Sequence, residues 1–158
     1  MKNKPDWKPR RWNEKLENCL WLPRMIDKGR RHIEAQRDAH VSMHGYLFGD
    51  LDYGDWQLLR FLRTNQDQVS RLLEELDSDQ DVAKRIVKDS NRSKEDIEKW
   101  NKRFRAVNCL FTPMWDADEA HRSPGLTTTL IKYSYIFILM PPVYLVYYIC
   151  SLFRRRKK

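Results

Sequence analysis

The C-terminal end of the chain decides what the rest can be. From Tyr133 to Phe153 run 21 residues without a charge, and the only strictly polar side chain before Ser151 is Ser134. At ~1.5 Å per residue, a helix of that length reaches roughly 30 Å, the thickness of a bilayer's hydrocarbon layer. Tyr133 and Tyr135 at one end, with Tyr147 and Tyr148 near the other, fit the aromatic belts of membrane interfaces. A core helix in so short a chain would show a polar face, and this run has none. It is therefore expected to enter a membrane.

Pro141 and Pro142 stand at its middle. Neither donates a backbone hydrogen bond, and the second disfavours helical geometry at the first, so a kink or a reversal is expected there. Arg154, Arg155, Arg156, Lys157 and Lys158 follow at once and are expected to contact lipid head groups. Such a cluster prefers the cytosolic side. The N-terminus opens with Lys2, Lys4, Pro5 and Asp6 and has no apolar run behind it, so the head is expected in the cytoplasm too. A kinked span would separate head and tail, whereas a re-entrant hairpin would keep both on one face. Both forms stay open.

The net charge of +8 invites a nucleic-acid reading, but the charge is unevenly spread. Residues 1–37 carry +6, residues 38–100 carry −5, and the final five residues carry +5. Two basic ends around an acidic middle suit anionic lipid head groups at least as well as a nucleic-acid groove, and nucleic acid is not the expected partner. The three cysteines, Cys19, Cys109 and Cys150, are odd in number and widely spaced, which offers neither a disulfide framework nor a zinc site.

Ahead of the apolar run the chain reads as helical. Residues 1–13 form an irregular basic arm that packs Trp7 or Trp12 on the domain. Pro23 suits the first turn of a helix, and Leu22, Met25, Ile26, Gly29 and Ile33 fall on one face, predicting a helix from Leu22 to Arg37. Glycines at 45, 49 and 54 with acids at 50, 52 and 55 describe a turn-rich connection, in which Tyr46, Leu47 and Phe48 make a short strand or plug the core. Trp56, Leu59 and Leu62 predict a short helix, and Val69, Leu72, Leu73 and Leu76 another. Ser78 and Ser93 each stand three residues before an aspartate and open two more, the second carrying the stripe Ile97, Trp100, Phe104 and Val107. Residues 14–110 are thus expected to form a mainly α head of about four or five helices, 111–132 a linker, 133–153 a transmembrane or re-entrant helix, and 154–158 a basic tail.

Motifs that carry chemistry are sparse. His32, His40 and His44 do not share a reliable helical face, and the aspartates at 50–55 and 77–81 lack the glycine and glutamate of a calcium loop, so no metal or cofactor is expected. No glycine-rich phosphate loop or nucleophile elbow is present. Arg24, Asp27, Lys28 and Arg31 put charge beside the apolar face of the first helix. Asp27 and Arg31 are spaced to pair at i, i+4, or Arg24, Lys28 and Arg31 form a surface for an anion or an acidic partner.

The phrase Trp21-Leu22-Pro23-Arg24-Met25-Ile26-Asp27-Lys28-Gly29-Arg30 resembles the opening signature of a bacterial family catalogued as domain of unknown function 5069. The acidic turn from Gly45 to Asp55, the helix Leu58 to Leu62, and the Ser93 to Trp100 segment with Asn101 resemble it as well. The glycines usual before the signature are replaced here by Glu17 and Asn18, and the apolar tail is an addition. The resemblance covers roughly residues 10–110 and implies a compact, mainly helical cytosolic domain, without a reaction.

The function expected is that of a membrane-anchored, non-catalytic interaction protein, an accessory subunit that meets lipids and other membrane proteins. Two alternatives stand beside it. One is a membrane-associated enzyme using charged groups near Arg24, Asp27, Lys28 and the Asp50 to Asp55 loop. The other is a nucleic-acid binder using Trp7, Trp12, Arg10 and Arg11.

Overall fold

A computed structural model describes residues 7–109, 111, 112 and 115. Tyr133, Pro141, Pro142, Phe153 and the basic run Arg154 to Lys158 lie outside the described residues. Among the described residues no helix is long and apolar enough to cross a membrane.

The chain divides into two units, Met1–Val107 and Asn108–Lys158. In the first, an antiparallel hairpin of β1 (Lys15–Leu16) and β2 (Cys19–Leu20) leads into α1 (Leu22–Arg37). A 3₁₀ turn at Gly49–Leu51 then introduces α2 (Tyr53–Phe61), followed by α3 (Gln66–Glu75), α4 (Asp79–Asp89) and α5 (Lys94–Val107). The described part of the second unit is one helical turn, in which the Trp115 N–H donates to the Phe111 carbonyl at 3.0 Å.

Among the described residues the head is mainly helical, with five α-helices, and the starts of the last four follow capping chemistry. Asp52, Asn65 and Ser78 each accept from the N–H three residues on, satisfying one orphan donor apiece in α2, α3 and α4. At α5 the box is complete: Ser93 Oγ accepts the Asp96 N–H at 3.1 Å, and the Ser93 N–H returns to the Asp96 carboxylate at 3.2 Å. The first helix runs over the residues that Pro23 and the apolar spacing predict, Leu22 to Arg37. Residues 46–48 form no strand; Phe48 plugs the core while Leu47 stays half exposed.

The hairpin before α1 has no counterpart in the sequence reading. Its two-residue loop, Glu17 and Asn18, has φ of 48° and 59°, the positive pair of a type I′ turn. Asn tolerates this conformation, and Glu does so at a cost. The hairpin is fixed by Asn101 of α5, whose Oδ1 accepts from the Leu20 N–H at 3.0 Å and whose Nδ2 donates to the Asn18 carbonyl at 2.7 Å.

Helix α1 is the centre of the unit, packing on α3, α4 and β1, while α5 packs on β2. Its Leu22, Met25 and Ile26 are fully buried, and Leu20, Leu58, Leu59, Leu62, Val69 and Val82 are buried with them in the core. Each such side chain contributes about 1.5–3 kcal/mol relative to exposure. Gly29 lets α3 approach, because a Cβ there would collide with Leu73 and crowd Phe48.

Candidate functional site

Of the charged residues of α1 that the sequence singles out, Arg24 and Lys28 are buried, while Asp27 and Arg31 are part-exposed. Lys28 is wholly buried, and its Nζ lies 2.7 Å from Asp55 Oδ1 and 3.0 Å from Asp52 Oδ2. Both contacts are ion pairs between a buried ammonium and carboxylates, and their attraction is chiefly Coulombic. Asp55 is also wholly buried. It accepts from the Trp21 indole N–H at 2.7 Å and from the Gly49 N–H at 3.0 Å. Its own N–H is capped by Asp52 at 3.0 Å.

Burial pushes the Asp55 carboxyl up to about 6; Lys28 pulls against that rise, Asp52 adds to it, and the Gly49 N–H opposes it. Trp21 closes one side of the cluster. It stands at the N-cap of α1 with φ 67°, and its ring lies so close to Gly54 that a Cβ there would run into the indole. Lys28 Nζ sits 5.2 Å from the centre of that ring.

Arg24, also buried, donates to the Arg10 carbonyl at 3.0 Å, and its guanidinium lies 5.3 Å from the Trp21 ring centre and 5.4 Å from that of Tyr46. Asp27 does not pair with Arg31. Its carboxylate is gripped by Arg10, with Nε at 2.9 and 3.0 Å, Nη2 at 2.6 Å and the Arg10 backbone N–H at 2.6 Å. A forked guanidinium with an added backbone donor outcompetes a single-point helical neighbour. Arg31 turns to the Ser42 carbonyl at 3.0 Å and to Glu34 at 3.1 Å, and stacks near Trp7 at 5.5 Å. Of the three residues expected to form a surface, Arg24 and Lys28 are buried, whereas Arg31 keeps 21% of its side chain exposed.

Arg10 reaches further, to Asp79 at 2.6 Å, and Arg30 meets the other oxygen of Asp79 at 2.7 Å. Arg30 also donates to the carbonyls of Leu73, Leu76 and Asp77 at the end of α3. Trp7 of the arm meets Tyr46 edge-on at 5.7 Å. Arg10, Trp21, Asp52 and Asp55 thus complete the cluster around the signature. The acidic turn and Trp21 were visible in the sequence, whereas nothing marked Arg10 as the residue that joins Asp27 to Asp79.

A groove of ≈ 270 Å³ lies elsewhere, over Leu62, Leu72 and Ile86 with Arg63 and Arg71 at its rim. None of the signature residues lines it. Buried Cys19 has its thiol pushed up to about 12 by desolvation, so it is a packing group rather than a nucleophile. His32 lies beside Phe48 at 5.5 Å, and His40 and His44 are exposed in the following loop.

No curated protein and no solved structure is significantly similar to the chain. One family model does match, over residues 7–124, and those residues include the signature, the Asp52 and Asp55 turn, and Asn101. With well over half its length matched, the chain belongs to the family described as Domain of unknown function (DUF5069).

Proposed function

We propose that the protein is a membrane-tethered, non-catalytic interaction module, an accessory subunit of a larger membrane complex with its helical head at the cytosolic face. One observation carries the non-catalytic part. Every charged side chain of the signature is spent on holding the head together: Arg24 on the arm, Asp27 on Arg10, Lys28 on two carboxylates, and Arg30 on Asp79 and three carbonyls. A catalytic group needs a space in which substrate meets it, and Lys28 and Asp55 are wholly enclosed. The same accounting weighs against a nucleic-acid comb on the arm, because Arg10 and Trp7 are already engaged.

The tether rests on the uncharged run Tyr133 to Phe153, and Arg154 to Lys158 would hold anionic head groups behind it. Proline-broken, Tyr-rich segments suit packing against other membrane helices, which satisfy the freed backbone groups. Purification from the native host in mild detergent, through a tag on Met1, tests the subunit role. Co-purification of membrane proteins in fixed stoichiometry supports it, and recovery of the chain alone at monomer mass refutes it.

A further inference from the structure

Among the described residues, the head exposes apolar side chains in the loop that leads into α2, beside two part-buried aromatic rings. Among the described residues, the exposed large hydrophobics are Leu47, Leu51 and Val107, and two of these lie in one loop, Leu47 at 50% and Leu51 at 72% exposure. The 3₁₀ turn that presents Leu51 packs against α2. There Tyr53 and Trp56 stack at 5.9 Å between ring centres, and the Arg60 guanidinium lies 4.9 Å over Trp56. Residues 53, 56 and 60 follow helical spacing, so the turn continues into an aromatic stripe that ends on an exposed cation.

Leucine at the tip, Tyr and Trp behind it and Arg at the margin match the gradient of a membrane interface, where amphipathic rings sit at head-group level and cationic stems snorkel. The acids beside Leu51 are Asp50, which is exposed, and Asp52, whose carboxylate is turned to Lys28 at 3.0 Å. The chain itself supplies the surface. Between Trp115, where the helical turn closes, and Tyr133 lie 17 residues, which can span at most about 58 Å, several times the ~13 Å radius of gyration of a head this size. Any face of the head can therefore reach the bilayer, at an effective concentration on the order of millimolar.

We propose that Leu47, Leu51 and the Tyr53, Trp56 and Arg60 face of α2 rest in the interfacial layer of the bilayer, an inference that depends on the tether proposed above. Because Asp50 stands in the patch, the contact is with apolar and zwitterionic lipid and does not require anionic head groups.

The test uses the full chain in phosphatidylcholine vesicles, with Cys109→Ser and Cys150→Ser removing the other thiols while Cys19 stays buried. Spin labels are placed singly through Leu51→Cys, Leu47→Cys and, as an exposed control on α4, Lys84→Cys. Collision with oxygen, which concentrates in lipid, is compared with collision with an aqueous nickel chelate. The inference expects the labels at 47 and 51 to gain oxygen and lose nickel collisions on vesicle binding, with the label at 84 unchanged. Labels at 47 and 51 as wet as that at 84, in a chain that floats with the vesicles, overturn the patch and leave the tether standing. Labels shielded from both probes assign the face to a protein contact and overturn it as well. A chain that does not float removes the tether, and the inference falls with it.

Discussion

Replacing Lys28 by Met should destabilise the head by an amount that depends on pH in a calculable way. At 2.7 Å from Asp55, the gross attraction is about 6 kcal/mol at an effective dielectric constant of 20, of which protein pairs typically lose 3–5 kcal/mol when one partner is removed. Asp55 can evade that loss by taking a proton. Its folded-state pKa, about 6, lies above the ordinary aspartate value of 3.8, so its contribution to stability is fully present below about pH 4 and is lost as pH rises through 6. Without Lys28, the cation that opposes desolvation is gone and the folded-state pKa rises further.

Wild type and variant should therefore differ least at pH 5, where Asp55 is largely protonated in both. Above pH 6 the wild type ionises and the variant does not, and the gap widens by about 1.4 kcal/mol per pH unit. Between pH 5 and pH 8 the difference should grow by about 3 kcal/mol, or roughly 10–20 °C in Tm for a domain of about 100 residues. Denaturation of the full chain in mild detergent, followed by tryptophan fluorescence at four pH values, reads this directly. Differences in how Met and Lys stems pack shift all four values together and drop out. Parallel pH profiles for the two proteins would refute the coupling of Lys28 to Asp55.

Three further substitutions probe the elements around that pair. Gly54→Ala drives a methyl into the Trp21 indole and should cost about 1–3 kcal/mol, with a change in near-ultraviolet circular dichroism; an unchanged spectrum and Tm would contradict the packing. Asn101→Ala strips a partner from the buried Leu20 N–H and from the Asn18 carbonyl, and should cost about 1–3 kcal/mol while exposing the hairpin amides to faster hydrogen exchange. Glu17→Gly relieves a left-handed residue and loses only an exposed contact to Gln80, so denaturant titration should show a gain of about 0.5–1 kcal/mol.

The helices were legible because their signals are local. Pro23 and the 3.6-residue stripe mark α1, and Ser78 and Ser93 mark the starts of α4 and α5, all within a few residues of the features they set. The hairpin was not, because two-residue strands carry no periodicity and Glu17-Asn18 lacks the glycine that announces a type I′ turn. The surroundings of the site residues were not legible for a different reason. A lysine in a charged helix reads as solvated, and only the fold brings Asp52 and Asp55 to Lys28. Asp27 offered a neighbour four residues away, yet the forked guanidinium of Arg10, 17 residues upstream, wins it by geometry that sequence spacing cannot rank. Local chemistry fixed the helices, and long-range ion pairs decided which side chains remained for function.

The most direct test of the central claim compares the full chain with one ending at Lys132, both expressed in the native host and treated with alkaline carbonate. The account predicts that the full chain stays in the membrane pellet while the shortened chain is released. Release of both, or retention of both, would contradict it.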